Sequence, residues 1–179
     1  MKYTREQIQT TVEDKGYKYF HDNLNKGYDV NIIGVRNSKT KGRVTNAFDD
    51  TLTISYKIDG EWQYHEFNCT TDPGSHWVKN LLNKKGVAIL KPNQYRGSHK
   101  LDLHQGKYLA LRQKSNVTVY RDNDRDNNYD LNESKTDTGG CQVIADNDDW
   151  HIFLDICQNA REIHGNSFSY TLIESKDLS

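Results

Sequence analysis

Residues 51–67 constrain the fold more than any other stretch of the chain. Leu52, Ile54, Tyr56 and Ile58 alternate with Thr51, Thr53, Ser55 and Lys57. That period of two buries one side of a strand and leaves the other polar. Asp59-Gly60 then supplies the positive backbone angles of a tight hairpin turn, and the run from Trp62 to Phe67 returns. Strand signals recur on both sides. Tyr28, Val30 and Ile32 share one face of an earlier strand over 28–36. Gly86 to Leu90 reads as a short buried strand that Pro92 ends. Residues 101–104 and 107–113 read as a strand broken at Gly106, with 117–120 pairing back along it. Residues 168–172 close the set.

Helical signals sit near the two ends. Thr4 and Gln7 form a capping box, Ile8 and Val12 fall one turn apart, and Gly16 is placed to end the helix. A second helix, from about Asp148, carries Phe153, Ile156, Cys157, Ala160 and Ile163 at helical period, and Gly165 stops it. Residues 37–50 and 70–74 read as a loop and a turn, and the tail from Glu174 as frayed. The expected fold is mainly β, an antiparallel sandwich or barrel with an N-terminal helix and one late helix at one end; α+β is the alternative label. Residues 1–27 form an N-terminal helical segment and 28–179 a single β-rich domain.

At 179 residues the chain can bury about two-thirds of its unfolded surface without a staple. Charge is balanced, with 24 basic and 25 acidic residues interspersed, so no basic face points to nucleic acid. No apolar run reaches a membrane span of about 18 residues. Residues 1–7 lack the apolar core of a secretory signal, so the expected compartment is the cytoplasm. Cys69, Cys141 and Cys157 are odd in number and lack paired spacing, which suits independent roles better than a disulfide framework.

Cys141 is the sharpest chemical candidate. It follows Gly139-Gly140 and leads into an apolar run, a context in which a substrate carbonyl can approach backbone N–H groups. The competing reading is a buried small side chain at a strand start. Cys69 and Cys157 read as core. A nucleophilic thiol needs a base, and His104, beside Gly106, is the first choice among seven histidines. His99 and His104 with Asp102 match no zinc spacing. Asp122, Asp124, Asp126, Asn128, Asp130 and Glu133 fall at positions 1, 3, 5, 7, 9 and 12 of a calcium loop, with Asn127 where glycine is usual. The competing reading there is a solvated acidic turn.

Several pieces together resemble a family of phage and prophage proteins: the N-terminal helix, Asn31 to Arg36, Phe48-Asp49-Asp50, Thr70 to Gly74, Gln94-Tyr95, His104 to Gln113, and Gly140 to Val143. The stretch around Cys141 resembles the active-site end of L,D-transpeptidase catalytic domains. That resemblance implies a β-sandwich enzyme whose cysteine attacks a peptidoglycan stem peptide and passes the acyl group to an amine or to water. Carried over, Cys141 is the nucleophile and Gly140 its preceding glycine. Gly139 stands where the family has histidine, and Lys135 to Gly139 contains none, so His104 is left to serve as base. The expected partner is a peptidoglycan peptide or other cell-wall component, with no nucleic acid, no membrane and no cofactor required for catalysis. The alternative is a catalytically inactive phage structural or cell-wall-binding protein on the same scaffold, associated with the host cell or the virion.

Overall fold

The structure is a computed structural model that describes residues 1–40, 47–72, 79–80, 89–114, 121–122, 131–133 and 142–178; for residues 40, 121–122 and 131–133 the backbone alone is described. It is mainly β with two helices. The strands are β1 (Asn31–Arg36), β2 (Asp50–Ile58), β3 (Glu61–Thr70), β4 (Ile89–Leu90), β5 (Asn93–His104), β6 (Tyr108–Gln113), β7 (Arg121–Asp122), β8 (Leu131–Glu133), β9 (Gln142–Ile144) and β10 (Phe168–Glu174). The helices are α1 (Arg5–Asp14) and α2 (Asn147–His164). Around the barrel wall the order is β1-β10-β5-β6-β8-β9-β3-β2, and β2 pairs back onto β1 to close it; β4 and β7 form a separate pair.

The β2–β3 hairpin forms as its alternation requires, with Asp59 and Gly60 at φ 50° and 83°. Leu52, Ile54 and Tyr56 enter the main core. The sheet is not purely antiparallel, however: β1 runs parallel to β10, and β8 parallel to β9. The stretch read as a broken strand is a true hairpin, β5 and β6, turning through Gln105 (φ 50°) and Gly106 (φ 72°). β5 begins at Asn93, eight residues before the sequence signal. The expected partner strand at 117–120 lies outside the described residues.

The helices do not share one end. α2, capped by Asp146, contributes Trp150, Phe153, Leu154, Ile156, Cys157 and Ala160 to the core that also holds the inward side chains of β1, β2, β3, β5 and β10. Ile163 departs from the predicted stripe and is 41% exposed. α1 packs on the opposite face of the wall. Ile8 and Val12 meet Tyr19, Ile33, Val35 and Ile173 in a second core, and the Thr4–Gln7 capping box is present in full. The tail is not frayed. Residues Ser175–Leu178 form a 3-10 turn tied down by the Lys15–Asp177 ion pair and the Ser38–Ser175 hydrogen bonds. Among the described residues no helix is long and apolar enough to cross a membrane.

Candidate functional site

Cys141 and Gly140 lie outside the described residues, but Gln142, the next residue, opens β9 and is buried. The polar groups gathered around that end of the barrel come from segments far apart in sequence. Arg36 ends β1, and its Nη1 donates to the Leu90 carbonyl at 2.9 Å and its Nη2 to the Thr71 carbonyl at 2.8 Å. Its Nε donates to Thr71 Oγ1 and lies 3.0 Å from Asp72 Oδ1. Thr71 Oγ1 in turn donates to Asp50 Oδ2 at 2.7 Å, and the Thr71 N–H reaches the same oxygen. Asp50 Oδ1 accepts from the Asn37 N–H. A buried carboxylate at the start of β2 is therefore held by three donors and joined to a guanidinium through one hydroxyl. Burial raises the Asp72 carboxyl above its ordinary range, with Arg36 pulling it down and Asp50 pushing it up.

Below this layer Tyr170 crosses the barrel. β10 and β9 stand four strands apart around the eight-stranded wall, yet the Tyr170 hydroxyl donates to Gln142 Oε1. The space for that hydroxyl exists because residue 34 is glycine: a Cβ there would sit 2.0 Å from it. Burial raises the Tyr170 phenol well above its ordinary range, and Cys69 adds to the shift. His99 meets the Tyr170 ring edge-on, with centroids 5.7 Å apart. Ser98 Oγ donates to the Tyr95 carbonyl, so it accepts from His99 Nδ1, which fixes a proton on that nitrogen.

The three cysteines now separate. Cys69 and Cys157 are sealed in the core, and burial drives both thiols up, so neither is an activated nucleophile, in keeping with the reading of both as core. His104 is buried near the β5–β6 turn, with its ring stacked on Tyr108 at 5.2 Å. From its strand to Gln142 the wall passes through β6 and β8, three steps of about 4.8 Å each. His99, which Tyr170 links to Gln142, has the more direct connection. Residue spacing gave no hint of that link, since it depends on β10 returning beside β5.

The acidic loop contributes Asp122 to β7 and Glu133 to β8 as backbone, while Asp124, Asp126, Asn128 and Asp130 lie outside the described residues. Among the described residues no group of three or more His, Cys, Asp or Glu is arranged to hold a metal ion. Asp102 instead pairs with Lys100 at 2.6 Å. No protein-family model, curated protein or solved structure matches the chain.

Proposed function

We propose that this protein is a cysteine-dependent acyl-transfer or hydrolytic enzyme acting on peptidoglycan stem peptides, on a barrel related to the L,D-transpeptidase sandwich. The observation that supports the reading is convergence. Arg36, Asp50, Thr71-Asp72 and Gln142 come from four of the separate motifs behind the resemblance, and they collect at one end of one barrel. In the proposed reaction the Cys141 thiolate attacks a stem-peptide carbonyl and expels the amine, which takes up a proton. Water or a second amine then cleaves the acyl thioester and regenerates the thiol. Backbone N–H groups beside Gly140 stabilise the oxyanion. His104 and His99 are the two candidate bases.

The second reading, a non-catalytic cell-wall-binding or virion protein acting in the host cell or virion, is favoured by a specific feature. Thr71, Asp50 and Tyr170 already spend their hydrogen-bonding groups on one another and on Gln142, as a structural layer would. The rate of iodoacetamide reaction across pH 5 to 9 separates the two, with buried Cys69 and Cys157 as inert references. An inflection for Cys141 well below about 8.5, shifted by His99→Gln or His104→Gln, supports the enzyme and identifies its base. An unperturbed Cys141, with muropeptide turnover unchanged in Cys141→Ala, overturns it. The loop from Asp122 to Glu133 is proposed to hold calcium. Calcium, and not magnesium, then raises Tm, and Asp124→Asn with Asp126→Asn removes the effect.

A further inference from the structure

A cleft opens between the start of β1, the start of β10, Arg96-Gly97 on β5 and the end of α2, with a volume of about 440 Å³. Its floor is apolar, made by Val30, Ala160 and Phe168 of the main core. Phe20 and Tyr28 form aromatic walls. Two opposite charges face this space without meeting.

Arg96 lays its guanidinium over the Phe20 ring at 5.1 Å, and among the described residues no hydrogen bond or ion pair engages it. The ring fixes the group and leaves its N–H donors unused. Asp29 stands half-buried in the same cleft, and no ion pair joins it to Arg96 or to any other described cation. Its carboxyl is raised chiefly by burial, with His164 drawing it down, the Asp22 charge pushing it up, and the Asp22 backbone N–H and Lys18 drawing it down. The His164 ring is itself engaged, its Nε2 lying 2.7 Å from the Gly27 carbonyl.

The backbone that delivers Asp29 is strained. Tyr28 adopts φ 55°, a left-handed conformation that costs a bulky side chain about 1–2 kcal/mol. It is pinned there by its N–H to the Lys57 carbonyl at 3.0 Å and by stacking on Tyr56 at 4.9 Å. The preceding turn is held by the Asp22 carboxylate, which accepts from the Lys26 and Gly27 N–H groups. Strain maintained by this many contacts, at the edge of a cleft, is the pattern of a ligand clamp.

We infer that this cleft binds a short zwitterionic peptide, its carboxylate on Arg96, its ammonium on Asp29 and an apolar side chain on the Val30–Phe168 floor between the aromatic walls. The presence of both charges in one cleft, with no ion pair between them, is what selects such a ligand: either charge alone would suit a simple ion, and the two together suit a molecule carrying both. The inference does not depend on Cys141.

The test is titration calorimetry of the full chain with the dipeptide Ala-Phe, its N-acetyl form and its C-terminal amide. The expected result is saturable binding of the free dipeptide, weakened at least about tenfold by either cap. Arg96→Met should abolish the difference between free dipeptide and amide, and Asp29→Asn the difference between free and N-acetyl dipeptide. Cys141→Ala should bind as the parent does, which keeps this result separate from the proposed enzyme. No binding at about 10 mM dipeptide, where a weak Kd of about 1 mM would already be close to saturated, overturns the inference. So does binding that ignores both caps, or both variants. Circular dichroism of each variant confirms that a loss is not unfolding.

Discussion

Among the described glycines, Gly34 is the one held closest by its surroundings, against Tyr170, and the pair makes a prediction that separates packing from hydrogen bonding. A methyl at position 34 would lie 2.0 Å from the Tyr170 hydroxyl and 3.0 Å from its Cζ. Both sites are buried in a sheet paired on each side, so neither can move cheaply. Gly34→Ala should cost about 1–3 kcal/mol by overpacking. Tyr170→Phe should cost a similar amount, about 1–3 kcal/mol, by leaving Gln142 Oε1 without its donor. Removing the hydroxyl also removes the worst clash, so urea unfolding of the double variant should show less than the sum of the two losses. An additive sum would mean that the hydroxyl is not where the clash occurs. Asp29 carries a different residue-scale signature. Its carboxyl sits above the ordinary 3.8 mainly through burial, among His164, Asp22 and Lys18. Between 3.8 and the raised folded value the native state binds more protons than the unfolded state, so this residue makes stability fall as pH rises through that window. Asp29→Asn should therefore raise Tm at neutral pH and lose that advantage below pH 3.8. A variant less stable than the parent at pH 7 would contradict the assignment. It is the same trade that a binding site makes, stability given up for an available charge.

At the scale of elements, the sequence speaks where the bonds are local. Asp146 accepts from the Asp148 and Asp149 N–H groups at 2.8 and 3.2 Å, and so starts α2. Asp146→Ala should lower stability by about 1 kcal/mol, read by thermal unfolding; no change would mean that packing alone sets the helix start. The same locality made the Thr4–Gln7 box and the Asp59-Gly60 turn readable in advance, since each depends on residues a few positions apart. The early part of β5 was not readable. Residues 93–100 alternate poorly, and Gly97 takes φ 58° within them, so the strand depends on distant partners, β10 beside residues 93–95 and 99 and β6 beside His99 and Lys100. The parallel pairing of β1 with β10 joins residues more than 130 positions apart, and no local pattern encodes it. The order of the tail is invisible locally for the same reason, because Lys15 and Ser38 hold it from a distance. The site follows this division. Arg36, Asp50, Thr71 and Gln142 each sat in a noticed motif, but the Arg36–Thr71–Asp50 chain and the Tyr170 crossing needed the closed wall. Nothing local marks Arg96 and Asp29 as facing the same cleft.

At the scale of the molecule, the wall is unevenly paired among the described residues, and its sparsest part lies beside the proposed active site. β2 is paired along its length with β3 and over Thr51–Ser55 with β1, whereas closure on the far side passes through the short strands β8 and β9. Among the described residues β6 pairs with β8 at Leu111–Leu131, and β9 pairs with β3 at Cys69–Ile144 and Thr70–Val143, extended by the Ala145 N–H to the Asn68 carbonyl at 2.8 Å. Among the described residues this seam carries few ladder bonds, which means a low cost of local opening, so it should breathe while the remainder stays shut. The Tyr170–Gln142 bond is the one described hydrogen bond that spans from the opposite wall to β9, and it acts as a latch across that seam. Native-state hydrogen exchange tests both statements together. The amides of Val143 and Ile144 should exchange at least about tenfold faster than those of Leu52 and Ile54, with little dependence on denaturant, as expected for a small opening. Tyr170→Phe should speed the β9 amides well beyond its effect on the β2 amides, because it releases the latch without unpairing the hairpin. Equal exchange free energies in β2 and β9 would mean that the barrel opens as one unit. The seam would then be thin in outline and not in energy, and the start of β9 would be as rigid as the hairpin opposite.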